Sequence, residues 1–152
     1  MRTLVLIPVV LALGLAAAPV CASSADDQMP DQQTIEVLET RASQAQPREQ
    51  CFLYAQLVHQ MTELSMKQYA AGNVDAATGL LKKIQQVAKK IHLSVAGNDR
   101  RLKNAEILLS RTAFRLNEML HASDYQDRAL VQETLVQVNQ AQSEAMMQVF
   151  QK

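Results

Sequence analysis

A cysteine and a histidine are the first residues of this chain whose chemistry and spacing invite a functional interpretation. Cys51 and His59 lie eight residues apart in the stretch REQCFLYAQLVHQMTEL, residues 48–64. Eight residues of α-helix rise about 12 Å, so one helix cannot bring the two side chains into contact. The apolar neighbours therefore favour Cys51 as a residue packed in a helix interface. An enzyme or a redox sensor that uses Cys51 is an alternative, because a helix start lowers the pKa of a thiol.

Two pairs of histidine and glutamate have spacings that suit a metal site. Glu118 and His121 form a Glu-x-x-His pair, and His59 and Glu63 lie four residues apart. Ferritin-like bundles hold a di-iron centre with two such motifs and two further glutamates, whereas this chain has one motif. Both pairs lie off the apolar stripes of their helices, which favours solvated surface. A structural metal that bridges the pairs, and a non-covalent haem held by histidine and methionine, are the alternatives.

The segment 82–115 carries the main charge asymmetry of the chain, with nine Lys or Arg residues against two acidic ones. Lysine pairs at positions 82–83 and 89–90 recur at a spacing of seven, which predicts a basic ridge on one helix. The ridge is interpreted as a solvated face that is partly paired with the first and fifth helices, or as a contact for an anionic envelope component or an acidic protein. The predicted partner-binding residues are Lys82, Lys83, Lys89, Lys90, Arg100, Arg101 and Lys103.

The elements that position these residues are predicted to be helices, because apolar residues recur at steps of three and four. A first helix is predicted over residues 32–46 behind an Asp31 cap, and Pro47 opens the second. Gly72 ends the second helix, and the segment 123–126 resembles a capping box that opens the fifth. The stripes are Tyr54, Leu57, Met61 and Leu64; Val74, Ala77, Leu81, Ile84, Ala88 and Ile91; Leu102, Ala105, Leu109, Thr112, Leu116 and Met119; and Val131, Leu135, Val138, Gln142, Ala145 and Val149.

Short connections between these helices predict that successive helices lie antiparallel. The fold class is therefore all-α: an antiparallel up-and-down helical bundle of about four core helices. The first helix has thin apolar content and is expected to lie across this bundle or against a partner.

The hairpin between the second and third helices carries small residues where the two helices cross. Leu64, Ser65, Gly72, Ala77 and Leu81 fall at the spacing of a tetratricopeptide-type helical hairpin. The closing proline of that family is absent, and no repeat of about 34 residues follows. We interpret the resemblance as shared helix-hairpin packing and not as membership of the family.

The first 22 residues resemble a secretory signal peptide. Arg2 gives a positive start, residues 4–18 are apolar, and small residues precede a predicted cleavage after Ala22. The apolar run is shorter than the roughly 20 residues that a membrane span needs, so a retained anchor is disfavoured. Lipid attachment at Cys21 is an alternative that the preceding Val20 disfavours.

Residues 23–30 are polar and acidic and are predicted to form a disordered connector. A single helical domain is predicted over residues 31–152. With the leader removed, Cys51 is the one remaining cysteine, so no disulfide can form within the chain, and a disulfide between two copies is an alternative.

These features predict an exported protein, periplasmic or extracellular, that acts by non-catalytic binding to an envelope or secreted protein partner or to itself. A formal net charge of +0 and an aromatic content of 4% argue against a nucleic-acid partner. We expect no catalytic activity, no cofactor, and no membrane span after the leader is removed. Metal or haem carriage within the bundle, and an enzyme that uses Cys51, are the alternatives from other function classes.

Overall fold

Five α-helices make up almost all of the chain that the structure describes. The structure is a computed structural model, and it describes residues 30–95 and 101–150. The helices are α1 Gln32–Gln44, α2 Pro47–Ala70, α3 Val74–Val95, α4 Leu102–Ala122 and α5 Tyr125–Phe150. No strand occurs in these two ranges, and the predicted all-α helical bundle is confirmed. The predicted signal peptide, residues 1–22, and residues 23–29 of the predicted connector lie outside the described residues.

Three of the predicted helix boundaries have the expected local chemistry. The Oδ1 of Asp31 accepts a hydrogen bond of 2.7 Å from the backbone N–H of Thr34, which is the bond of an N-cap. Pro47 is the first residue of α2. Gly72 has a φ of 83°, in the left-handed region that favours glycine after a helix end.

The predicted capping box at the start of α5 is wrong. The hydroxyl of Ser123 donates to the backbone carbonyl of Met119 at 2.6 Å, so it satisfies the end of α4 and not the start of α5. The backbone N–H groups of Asp127 and Arg128 instead donate to the carbonyl of Asp124, each at 3.1 Å. The fifth helix therefore begins one residue later than a cap at Ser123 would place it.

The α2–α3 hairpin is closely packed at the small residues that the sequence singled out. The hydroxyl of Ser65 donates to the backbone carbonyl of Ala77 at 3.1 Å, and both residues are buried. The serine side chain is short, so its hydroxyl reaches the backbone of the next helix only where the two helices approach closely. Helix-hairpin packing of the predicted kind is therefore present.

The two hairpins, α2–α3 and α4–α5, stack against each other as layers. Helix α2 packs on α4, and α3 packs on α5. Matching contacts advance along both chains in the same direction, from His59 with Thr112 to Tyr69 with Asp124. Spatial neighbours in different hairpins are therefore parallel, although the helices alternate in direction along the sequence as predicted.

Helix α1 covers the outer side of the α2–α3 hairpin. It packs mainly against α2, with Ile35 and Ala42 fully buried. Glu39 of α1 also forms an ion pair of 2.5 Å with Lys83 of α3. The α2–α3 hairpin is thus enclosed between α1 on one side and the α4–α5 hairpin on the other.

The predicted apolar stripes form the core of the stack. Every stripe residue of α2 and α4 is buried, whereas Val74, at the start of α3, is 37% exposed. Gln142 and Val149 of α5 are half-buried. The amide of Gln142 donates to the carboxylate of Glu106 at 3.3 Å, which places this polar stripe position at the boundary between α4 and α5.

Candidate interaction surface

Two of the four α3 lysines predicted to form a basic ridge are engaged within the molecule. Lys83 forms its ion pair with Glu39 of α1. The ammonium of Lys90 lies 5.8 Å from the centroid of the Tyr54 ring in α2, at cation–π distance. These two lysines therefore face the α1 and α2 side of the bundle.

The other predicted basic residues that the structure describes are all exposed. Lys82 and Lys89 form one row on α3, and this row lies about 100° around the helix from the row of Lys83 and Lys90. The guanidinium of Arg101 lies over a phenylalanine ring of α2 at 5.2 Å. Lys103 is exposed on α4, and Arg100 lies outside the described residues.

The carboxylates proposed as metal ligands are joined by an arginine. Arg115 donates to both oxygens of Glu63 at 2.7 and 2.9 Å and also to Glu118, and Glu63 is the leading cause of the raised pKa of Arg115. His121 is exposed. Within the described part of the chain, no three His, Cys, Asp or Glu side chains gather in a way that could hold a metal.

His59 is half-buried between α2 and α4, which corrects its assignment to solvated surface. Its Nδ1 lies 3.0 Å from the hydroxyl of Thr112. Because that hydroxyl donates its one proton to the carbonyl of Leu108 at 2.8 Å, Nδ1 of His59 must be the donor to Thr112. Burial is the main cause that lowers the pKa of His59, while nearby Glu63 opposes the shift.

Acidification is expected to weaken the fold through His59. The unfolded chain takes up a proton near the ordinary pKa of about 6.5, whereas the folded protein resists protonation to a lower pH. The stability from neutral His59 is therefore fully present above about pH 6.5 and is lost as pH falls toward the lowered pKa. Urea midpoints at two pH values on either side of the ordinary pKa should differ less in His59→Gln than in the unchanged protein. Equal acid-induced losses would contradict this role.

The predicted burial of Cys51 is confirmed, since its side chain is 0% exposed among core residues of α2. Attack on a substrate, or a disulfide between two copies, would require this part of α2 to open. The native packing therefore disfavours both alternative roles of the thiol.

Exposed apolar surface is concentrated on the α4–α5 hairpin, and the sequence reading did not identify it. Seven of the nine large apolar side chains that are exposed in the described ranges belong to these two helices. They include Phe114 at 63%, Tyr125 at 91% and Phe150 at 80% exposure. The seven are Ile107, Phe114, Tyr125, Val136, Met146, Met147 and Phe150.

Helix α5 carries a second stripe on the side away from its core stripe. Eight residues from Tyr125 to Phe150 follow one another at alternating steps of four and three, all are exposed, and none is charged. Such spacing is that of the contact positions in a two-helix coiled coil. This α5 seam consists of Tyr125, Ala129, Gln132, Val136, Asn139, Ser143, Met146 and Phe150.

The α5 seam lies at the uncovered end of the stack. One face of the α4–α5 hairpin packs on α2 and α3, and the described chain supplies no further helix for the other. At the opposite end, α1 covers the α2–α3 hairpin. Stacked helical hairpins need a polar terminal layer to remain soluble. We call the α5 seam, together with Ile107, Phe114 and Met147, the open face.

No known protein family matches this chain, and neither the curated proteins nor the solved structures contain a significant match to it. None of the described helices has the length and apolar character required to cross a bilayer.

Proposed function

We propose that this protein is exported and acts by non-catalytic binding of a protein through the open face. The observation that carries the proposal is the concentration of exposed apolar side chains on α4 and α5. Monomeric soluble proteins rarely expose contiguous apolar patches larger than a few hundred Å², and larger patches mark interaction sites. The signal-like leader supports export, because its short apolar run and small residues before the predicted cut suit a secretory signal.

The basic ridge supports the proposal less well than the open face does. Lys83 and Lys90 are occupied by contacts inside the molecule, so a docking partner would have to compete with Glu39 and the Tyr54 ring. The open face requires no such exchange, since its side chains already point to solvent. The competing proposal is that an anionic partner binds the basic ridge at Lys82 and Lys89.

Photo-crosslinking in cells that export the protein distinguishes the two faces. A benzophenone amino acid replaces Phe114 on the open face, Lys89 on the ridge, or Val37 on the exposed side of α1. We expect a discrete adduct from position 114 and none from position 37, because Val37 lies on neither of the two faces. The mass of the unlinked exported chain should correspond to a start at Ser23.

Two results would contradict the proposal. An adduct from position 89 alone would transfer binding to the basic ridge. The absence of an adduct from all positions, with normal export and folding, would refute binding through either face. Retention of residues 1–22 in the exported chain would refute the proposed cleavage.

A further inference from the structure

We propose that the partner of the open face is a second copy of this chain, bound through an antiparallel pairing of the two α5 seams. This inference rests on the proposed function, because it names the occupant of the same surface. The seam runs the full length of α5, from Tyr125 to Phe150, without a charged residue. A solvent-facing helix side in a chain of which 20% is charged would ordinarily carry several charges.

The seam is complementary to itself when two α5 helices run in opposite directions. In that arrangement Tyr125 lies opposite Phe150 of the second copy, and Val136 lies opposite its Asn139. Every seam residue then meets a seam residue, because the steps of four and three read the same from both ends. Such a contact is isologous, with one patch used twice about a two-fold axis. Opposed helix dipoles also favour the antiparallel direction over the parallel one.

The distribution of charge favours a second copy over a charged partner. An isologous contact places residues near the axis close to their own counterparts, so a charge there would repel itself. The α5 seam has none. Because an isologous contact uses the same face of both copies, the pairing closes at two copies.

The available surface is of the size that a stable dimer requires. Tyr125 is 91% exposed and Phe150 is 80% exposed. Aromatic side chains bury about 150–250 Å² each, so these two supply roughly 300 Å² per copy. A standard interface uses about 800 Å² per partner, which leaves roughly 500 Å² for the other seam residues and their neighbours. Half-exposed Val136, Met146 and Met147 provide part of it, and Ile107 and Phe114 of the open face and the polar seam residues are placed to provide the rest.

The test compares the same substitution at two exposed valines. Val136 lies in the middle of the seam and is 51% exposed, and Val37 lies on α1 and is 64% exposed. Val136→Glu places a charge from each copy near the two-fold axis, and it is expected to raise the dimer dissociation constant at least about 30-fold. Val37→Glu is expected to leave it unchanged. Sedimentation equilibrium measures both constants, and circular dichroism checks that the two variants keep their helices.

The direction of pairing has its own measurement. A spin label is attached to Gln126→Cys, an exposed position beside the seam. In the antiparallel dimer this position lies opposite residue 149 of the second copy, so the two labels are separated by about 35 Å of helical rise. A parallel pair would place them close to the spacing of the helix axes, about 10 Å.

Each outcome bears on the inference separately from the proposed function. A wild-type dimer that Val136→Glu dissociates, with the long label distance, supports it. A monomer at tens of micromolar, a dimer that survives Val136→Glu, or the short distance overturns it. If the protein is monomeric but position 114 still crosslinks to a different protein, the proposed function stands and self-pairing fails.

Discussion

Replacing Ile35 by alanine is expected to lower the free energy of unfolding by about 3 kcal/mol, within the range seen for isoleucine truncated in a core. Ile35 is 0% exposed although α1 packs mainly against a single helix. Truncation removes apolar contacts and leaves a cavity between α1 and α2 that the surroundings can fill only in part. Urea denaturation followed by circular dichroism measures the loss.

A matched control lies two residues away on the same helix. Val37 is β-branched like Ile35 but is 64% exposed, so Val37→Ala should change the free energy of unfolding by less than about 0.5 kcal/mol. Similar small effects from both variants would show that α1 is not docked on the bundle. Hydrogen exchange of the α1 amides in Ile35→Ala reports separately whether the truncation detaches α1 from the bundle.

Helices with one buried face could be read from the sequence, and helices with two buried faces could not. The six predicted stripe residues of α4 are all buried, because α4 meets the bundle on one side. In α2 the prediction found one stripe, yet Leu53 and Val58 are also buried. These residues are buried because α1, α3 and α4 all pack against α2. The spacing of apolar residues in α2 does not encode where those three helices lie.

The sequence pattern also could not predict which helices of the two hairpins are neighbours in space. Short connections specify the hairpins, because they hold successive helices together. Which hairpin faces meet depends on contacts such as the pair of His59 with Thr112 and the pair of Glu63 with Arg115. Thr112 belongs to the predicted stripe of α4, but His59, Glu63 and Arg115 lie beside the stripes, where polar side chains give no periodic signal.

The candidate interaction surface was missed for a related reason. The predicted core stripe of α5 is correct at Val131 and Val138, which are buried. One apolar stripe is enough to predict an amphipathic helix, so the pattern gave no reason to look for a second. The outward seam is weaker in apolar content, since Gln132, Asn139 and Ser143 interrupt it. Its signal is the absence of charge at the eight seam positions of α5, which becomes informative only once those positions are known to face solvent.

The thiol of Cys51 is expected to react with a disulfide reagent at least about 1,000-fold more slowly in the native protein than in the unfolded chain. Complete burial means that the reagent reaches the sulfur only through opened states, and core segments open at free energies that approach the global stability of 5–15 kcal/mol typical of natural proteins. Absorbance of the released thiolate follows the reaction with and without denaturant. Gln86→Cys, at an exposed position of α3, supplies a fast-reacting reference in the same molecule.

The same measurement separates packing from chemistry at this residue. Rapid native labelling of Cys51 that persists at acid pH would indicate a thiolate of the kind that enzymes and redox sensors use, and would contradict its role as a core residue. A buried thiol also predicts that reductant leaves the proposed dimer intact, because two α5 seams associate without a covalent bond. A doubled mass that reductant abolishes would instead establish Cys51 as a crosslink, which α2 could form only by opening the core that surrounds it.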